Sequence, residues 1–166
     1  MAVAQLRKGA IVAIKGIGGF HISCDAANPQ SVQRLRTLKR RPSKPFAVMV
    51  QSMETAQKYC LVSELENKLL TAPERPIVLL RKKKDSEITK LLAPDNNYLG
   101  VMLCYTPLHH LLFSRAFSAA HPLSMLVMTS GNSSDEPIEI DNESAMQNLG
   151  PFCDSFLMNN RAIYNR

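Results

Sequence analysis

The stretch "AIVAIKGIGGFH", residues 10–21, decides the fold. Its first five residues form an apolar, partly β-branched run, which reads as a short buried strand. Gly16, Gly18 and Gly19 then break it. Ahead of it, residues 2–8 predict a short helix that stops at Gly9. After it, Asn28 and Pro29 stand where an N-cap and a first helical residue belong. The helix that follows, over 29–40, puts Val32, Leu35 and Leu38 on one face and leaves Arg34, Arg36, Lys39 and Arg40 to the rest.

The same alternation continues outward. "PFAVMV" (45–50), "RPIVLLR" (75–81), "YLGVML" (98–103) and "LSMLVMTS" (123–130) predict strands, and "DSFLMNN" (154–160) a last short one. Helices are predicted over 52–59, over 63–71 behind a Ser63–Glu66 capping box, from Thr106 and Pro107 onward, and over 141–149. Strands alternating with helices imply an α/β class with a mostly buried, mixed sheet. The 166 residues suit one compact domain over 1–166, and a hydrophobic fraction of 45% is enough for a core. No apolar run reaches membrane-spanning length, and the N-terminus is too short and too charged for a signal peptide. Cys24, Cys60, Cys104 and Cys153 lie far apart without a Cys-x-x-Cys pair. That argues against a zinc ribbon and for reduced core cysteines in a cytoplasmic protein.

Lys plus Arg number 20 against 14 Asp plus Glu, a net charge of +6, which favours an anionic partner. The charge concentrates in "KRRPSK", residues 39–44. Cations at a helix C-terminus favour its dipole, which accounts for Lys39 and Arg40. Arg41 and Lys44 stand instead in a turn stiffened by Pro42 and Pro45. A rigid turn with Lys39 and Arg41 two apart suits a polyphosphate, since Arg grips oxygens in a fork and Lys acts as a point charge. The glycine stretch lacks both the third Gly of a dinucleotide fingerprint, which would fall at His21, and the Gly-Lys-Ser/Thr of a P-loop. It is either a tight strand-to-helix turn needing unusual backbone angles or a floor where a ligand approaches the backbone. "TSGNSSDEP", residues 129–137, offers hydroxyls and an Asn at a strand end, a device for binding phosphate or ribose and equally for making a turn.

His109 and His110 are adjacent, diverge by about 100° on a helix, and chelate a metal poorly. One should face a pocket while the other packs or meets solvent. Lys82 to Lys84 read as a solvated turn. No serine–histidine–acid set and no cysteine nucleophile can be assigned. A double-stranded RNA-binding module fits the charge, but 6% aromatic residues and no Trp make a poor stacking platform.

Four blocks in order, "GAIVAIKGIGGFHISCDAANP", "LKRRPSKPFAVMV", "YLGVMLCYTPLHHLLF" and "LVMTSGNSSDEPI", resemble the YrdC-like domain of the HypF carbamoyltransferases of nickel–iron hydrogenase maturation. The resemblance covers nearly the whole chain. It implies a YrdC-like twisted mixed β-sheet flanked by helices, with a basic concave face. The wider superfamily of threonylcarbamoyl-adenylate synthases shares the Lys-x-Arg turn, here Lys39 and Arg41, and the Ser-x-Asn turn, here Ser130 and Asn132. Those synthases carry Thr-Asp-Thr-Val-Tyr-Gly where this chain has "GIGGFH", which favours the smaller carbamoyl group over threonine. Cys104 stands where such domains usually show Pro, with a local effect expected. The family continues past "NNRAIYNR" into a Cys-Asp-Asp-Ser-Val stretch near the nucleotide, so a fragment with part of its site elsewhere is expected.

The resemblance further implies acylphosphatase and zinc-binding modules before this one and a carbamoyl-transferring domain after it. Carbamate from carbamoyl phosphate would react with ATP, with Mg2+ on the phosphates. The product would pass to a C-terminal cysteine of a partner maturation protein. Lys39 and Arg41 are then the expected catalytic cations on the ATP phosphates. Lys44, Thr129, Ser130, Asn132 and Arg161 are expected phosphate-binding residues. Gly16, Gly18, Gly19, His21 and His110 are expected to line the carbamate pocket.

Overall fold

The computed structural model describes residues 2–84, 90–114, 123–133 and 136–164. The chain runs α1 (Ala2–Arg7), β1 (Val12–Lys15), β2 (Phe20–Asp25), α2 (Pro29–Leu38), β3 (Val48–Val50), α3 (Met53–Tyr59), α4 (Glu64–Thr71), β4 (Val78–Arg81), β5 (Tyr98–Leu103), α5 (Pro107–Phe113), β6 (Met125–Ser130), α6 (Asn142–Leu149) and β7 (Ser155–Leu157). The seven strands form one mixed sheet in the order β4-β5-β3-β6-β2-β1-β7. Strand alternation splits the apolar residues between its two faces. Ile11, Ala13, Phe20, Ile22 and Val127 pack on one side with Val32 and Leu35 of α2, Ala56 of α3, Leu70 of α4, and Ala145 and Leu149 of α6. Val12, Ile14, Leu126 and Met128 pack on the other with Val3 and Leu6 of α1 and Leu112 and Phe113 of α5. Both faces are covered, as a near-continuously apolar strand pattern requires.

The expected elements appear where side-chain chemistry starts them. The Asn28 side chain accepts from the Gln30 and Ser31 amides, with Pro29 at the first helical position. Ser63 and Glu66 close the capping box on α4. The predicted continuation of α5 past Ser114 lies outside the described residues. The cysteines are free, and Cys24, Cys60 and Cys104 are buried. Cys104 Sγ lies 3.7 Å from the Val50 carbonyl, tying the end of β5 to β3.

Three expectations are corrected. The glycine stretch joins two strands rather than a strand and a helix. Lys15 pairs with Phe20, and the Gly16 amide donates to the Gly19 carbonyl at 2.8 Å, so residues 16–19 form a hairpin turn. Positive φ is not what this turn needs from its glycines, since Gly9 alone among the described glycines has it. The need is space, because a Cβ on Gly16 would stand 2.9 Å from the Gly19 carbonyl oxygen. Second, α2 closes at Leu38, with Lys39 as its C-cap, rather than running to residue 40. Arg40 turns left-handed (φ 48°), and the Arg41 amide reaches back to the Arg36 carbonyl at 3.0 Å, the closure of a Schellman motif. Third, Arg36 and Lys39 are not on a solvated face: they are 4% and 7% exposed, each drawn inward by carbonyl acceptors.

Candidate active site

The C-terminal ends of β1 and β6 and the N-terminal ends of β2 and β3 meet at one end of the sheet. His21 of β2 lies in register with Ser130 of β6, which brings the glycine hairpin beside the "TSGN" turn. The approach is close: the Gly131 amide donates to the Phe20 carbonyl at 2.8 Å. A Cβ on Gly131 would sit 2.6 Å from that same oxygen, so only glycine fits. Gly19 is buried against Ile138, while Gly18 is half-buried in the turn.

The cationic turn swings onto this strand end. Lys39 Nζ donates to the Ser130 carbonyl at 3.1 Å, the Asn132 carbonyl at 2.6 Å and Asn132 Oδ1 at 3.0 Å. Ser130 Oγ donates to the same Oδ1 at 2.7 Å, and Asn132 Nδ2 to the Glu136 carbonyl at 2.6 Å. Arg41 Nη1 donates to Thr129 Oγ1 at 2.9 Å and Nη2 to the Pro45 carbonyl at 2.8 Å. The Arg41 guanidinium lies 5.1 Å from the centre of the Phe46 ring, and its buried Nε has no partner among the described residues. Burial, and after it the neighbouring Arg41, holds Lys39 below the usual lysine range. Burial likewise lowers Arg41. Among the described residues no carboxylate pairs with either cation; the ion pair found there is Arg34 with Asp154 at 2.6 Å. Two positive charges are thus taken partly out of water without a counter-ion, an arrangement that an incoming anion stabilises.

Arg36 is the residue that builds this turn; it shares the buried face of α2 with Val32 and Leu35, where its charge alone argued for solvent. Its guanidinium donates to the carbonyls of Leu91, Leu92, Arg41 and Lys44 and stacks 4.5 Å from the centre of the Phe46 ring. The backbone carrying Arg41 and Lys44 is therefore clamped from inside. Lys44 itself is exposed at the turn.

Arg161 is not with this cluster. It is exposed and lines a cleft of about 310 Å³ together with Lys15, Gly16, Tyr105, Thr106 and Asn159. Lys15, a second cation the sequence reading passed over, is buried and donates to Asn142 Oδ1 at 2.7 Å and the Asn159 carbonyl at 3.2 Å. Of the two adjacent histidines, His110 is exposed and His109 is buried. The phase is legible in hindsight: Thr106 caps α5 through the His109 amide, and residues 109, 112 and 113 share its buried face. Burial pushes His109 down to about 4, helped by His21 and His110, and burial also lowers His21. Among the described residues no group of three or more His, Cys, Asp or Glu could hold a metal ion, and no helix is long and apolar enough to cross a membrane.

The family model described as "Telomere recombination", covering Sua5, YciO and YrdC, matches residues 4–166. The chain is 48% identical over 174 residues to carbamoyltransferase HypF2 of Cupriavidus necator, an alignment covering 99% of this chain and 21% of that protein. It is 28% identical over 151 residues to the threonylcarbamoyl-AMP synthase of Mus musculus, covering 90% of this chain and 51% of that one. A crystal structure of full-length HypF in its phosphate- and nucleotide-bound form superposes with a TM-score of 0.92 at 48% identity, over 99% of this chain and 25% of that one. The chain therefore spans about a fifth of the length of the curated carbamoyltransferase it matches.

Proposed function

This chain belongs to the Sua5, YciO and YrdC family, and on that premise we propose that it joins carbamate to ATP, making carbamoyl-adenylate and pyrophosphate as one module of a HypF-type carbamoyltransferase. The observation that carries this reading is the pair Lys39 and Arg41, held without a carboxylate partner against Thr129, Ser130 and Asn132. The nucleotide and phosphate in the related HypF structure support a nucleotide as the anion.

The chemistry needs no nucleophilic side chain. A carboxylate oxygen of carbamate forms a bond to the α-phosphorus, the bond from that phosphorus to the bridging oxygen breaks, and pyrophosphate leaves with the electron pair. What the protein supplies is positioning and fixed charge. Arg41 is oriented by Thr129 Oγ1 and the Pro45 carbonyl, and its guanidinium brings fixed positive charge to the phosphoryl oxygens. Lys39 fixes the Ser130–Asn132 turn and carries positive potential toward the same oxygens. Lys44 extends that charge outward, and Arg161, which lines the cleft beside Lys15 and Gly16, would meet only a part of ATP that reaches past the hairpin. The Gly16–Gly19 hairpin and His21 form the wall for the small acid. His109 takes the inward place the sequence reading gave to His110.

Mg2+ would be carried by the triphosphate itself, since the described residues gather no group of three or more His, Cys, Asp or Glu to hold it. The adenylate would pass to a carbamoyl-transferring domain of the same polypeptide and then to a cysteine of a maturation partner.

The test is pyrophosphate release from ATP by the complete polypeptide, supplied with carbamoyl phosphate or with L-threonine and bicarbonate. The proposed reaction predicts release with the first. Release only with the second assigns the chain to threonylcarbamoyl-adenylate synthesis. Lys39→Ala and Arg41→Ala should each slow release at least tenfold by removing a transition-state charge contact. Wild-type rates in both variants would contradict the site.

A further inference from the structure

Two histidines approach each other on the sheet face that carries α1 and α5. On β2, Phe20, Ile22 and Cys24 belong to the core under α2, so His21 and Ser23 project to the opposite face. Ser130 stands beside His21 there. Helix α5 covers that face through Leu112 and Phe113, and its His109 is 0% exposed. The His21 ring lies against Gly16, with Nδ1 3.2 Å from where a Cβ would stand, and Gly16 shares a cleft with Tyr105, whose ring meets that of His109, so both histidines border the same neighbourhood.

Four buried polar atoms in this patch have no hydrogen-bond partner among the described residues: Nδ1 of His21, Oγ of Ser23 and both ring nitrogens of His109. Roughly nine in ten buried polar atoms are paired in folded proteins, so four on one face mark a buried polar patch that a small polar partner would satisfy. The His109 ring is held in place for it. Tyr105 meets the ring edge-on at 4.4 Å, and Thr106 Oγ1 accepts from the His109 backbone amide at 3.1 Å. Burial lowers both imidazoles, leaving them neutral at pH 7. Each neutral ring offers one donor and one acceptor, which a protonated ring or a lysine cannot.

We infer that His109 is a further substrate-contacting residue: with His21 it accepts the two N–H bonds of an unsubstituted carbamate, whose carboxylate end faces Ser130 and Lys39. The inference rests on the carbamate chemistry proposed above and names how that substrate is selected. Two imidazoles closing the amino end leave no room for the carbon chain of an N-substituted carbamate. Acetate, with a methyl group in place of the amine, would leave the acceptors unpaired. A site built to pair a polar group rejects the analogue that lacks it far better than an apolar site would.

The test compares ammonium carbamate, freshly dissolved, with sodium acetate as partners of ATP in the complete polypeptide. Pyrophosphate release is the readout for wild type and His109→Phe. The variant keeps the ring shape and drops both ring nitrogens. It should raise the KM for carbamate about tenfold or more and narrow the preference over acetate, while the Kd for ATP and the melting temperature hold. An unchanged KM and preference in a folded variant, with active wild type, overturns the inference and leaves the reaction standing. A wild type inert with carbamate overturns the reaction and the inference with it. Should the variant fail to fold, a crystal structure of the wild type with α,β-methylene ATP and ammonium carbamate decides. An amine within hydrogen-bond distance of His109 supports the assignment, and an amine turned elsewhere overturns it.

Discussion

Replacing Arg36 with Met should loosen the cationic turn from beneath while leaving every proposed substrate contact in the sequence. Met keeps much of the aliphatic stem and removes the guanidinium. The carbonyls of Arg41 and Lys44 then lose the donors at 2.7 and 3.0 Å that Arg36 Nη1 provides. Each buried acceptor left unpaired costs about 1 kcal/mol or more. The guanidinium–Phe46 contact adds up to about 1 kcal/mol. Removing a desolvated cation beside Arg41 returns part of this, since burial and Arg41 both disfavour the charge on Arg36. The expected net loss is about 2–3 kcal/mol, which lowers the melting temperature of a domain this size by roughly 4–12 °C. Denaturant titration gives the free energy, and calorimetry gives the midpoint. ATP affinity should fall along with stability, because Arg41 and Lys44 ride on the released backbone. Arg36→Lys should not rescue either property, because one ammonium cannot span carbonyls on two segments as the fork does. A loss below about 1 kcal/mol with unchanged ATP affinity would refute the clamp.

Gly131→Ala places a methyl group 2.6 Å from the Phe20 oxygen and 2.8 Å from its carbonyl carbon, both backbone, so β2 and β6 must part at the site. Urea titration should show a loss of about 2 kcal/mol, with weaker ATP binding; full stability would mean the strands give way freely. For His109, the folded-state value near 4 lies below the ordinary 6.5, so the unfolded chain binds more protons between the two. Stability is whole above pH 6.5 and falls as pH drops toward 4, by about 2 kcal/mol between pH 7 and pH 5. His21, lowered by burial too, adds to the same slope. His109→Phe should flatten the profile; an unchanged slope would place the titration elsewhere.

The α/β class was legible because most strands and helices announced themselves locally, through β-branched runs, Asn28–Pro29 and the Ser63–Glu66 box. Strand β2 was missed although "FHISCD" alternates cleanly, with Phe20, Ile22 and Cys24 all buried on one side. The glycines before it suggested a turn without saying what followed. The grouping of the cationic turn with the "TSGN" strand end came from the family resemblance. Spacing along the chain cannot reveal contacts across more than 85 residues, such as Lys39 to Ser130. The acceptor of Arg36 at Leu91, 55 residues away, was hidden for the same reason, although the phase of α2 sets Arg36 on the inward face with Val32 and Leu35. His109 is different: the cap at Thr106 sets the phase of α5, and that phase already turns His109 inward.

The central claim is that Lys39 and Arg41 wait for a triphosphate. Calorimetric titration of the protein with ATP and Mg2+, wild type against Lys39→Ala at matched ionic strength, tests it most directly. The account predicts saturable binding by the wild type and a Kd weakened at least tenfold in the variant, with the fold retained. Equal affinity in both proteins, or no ATP binding by a folded wild type, would contradict it.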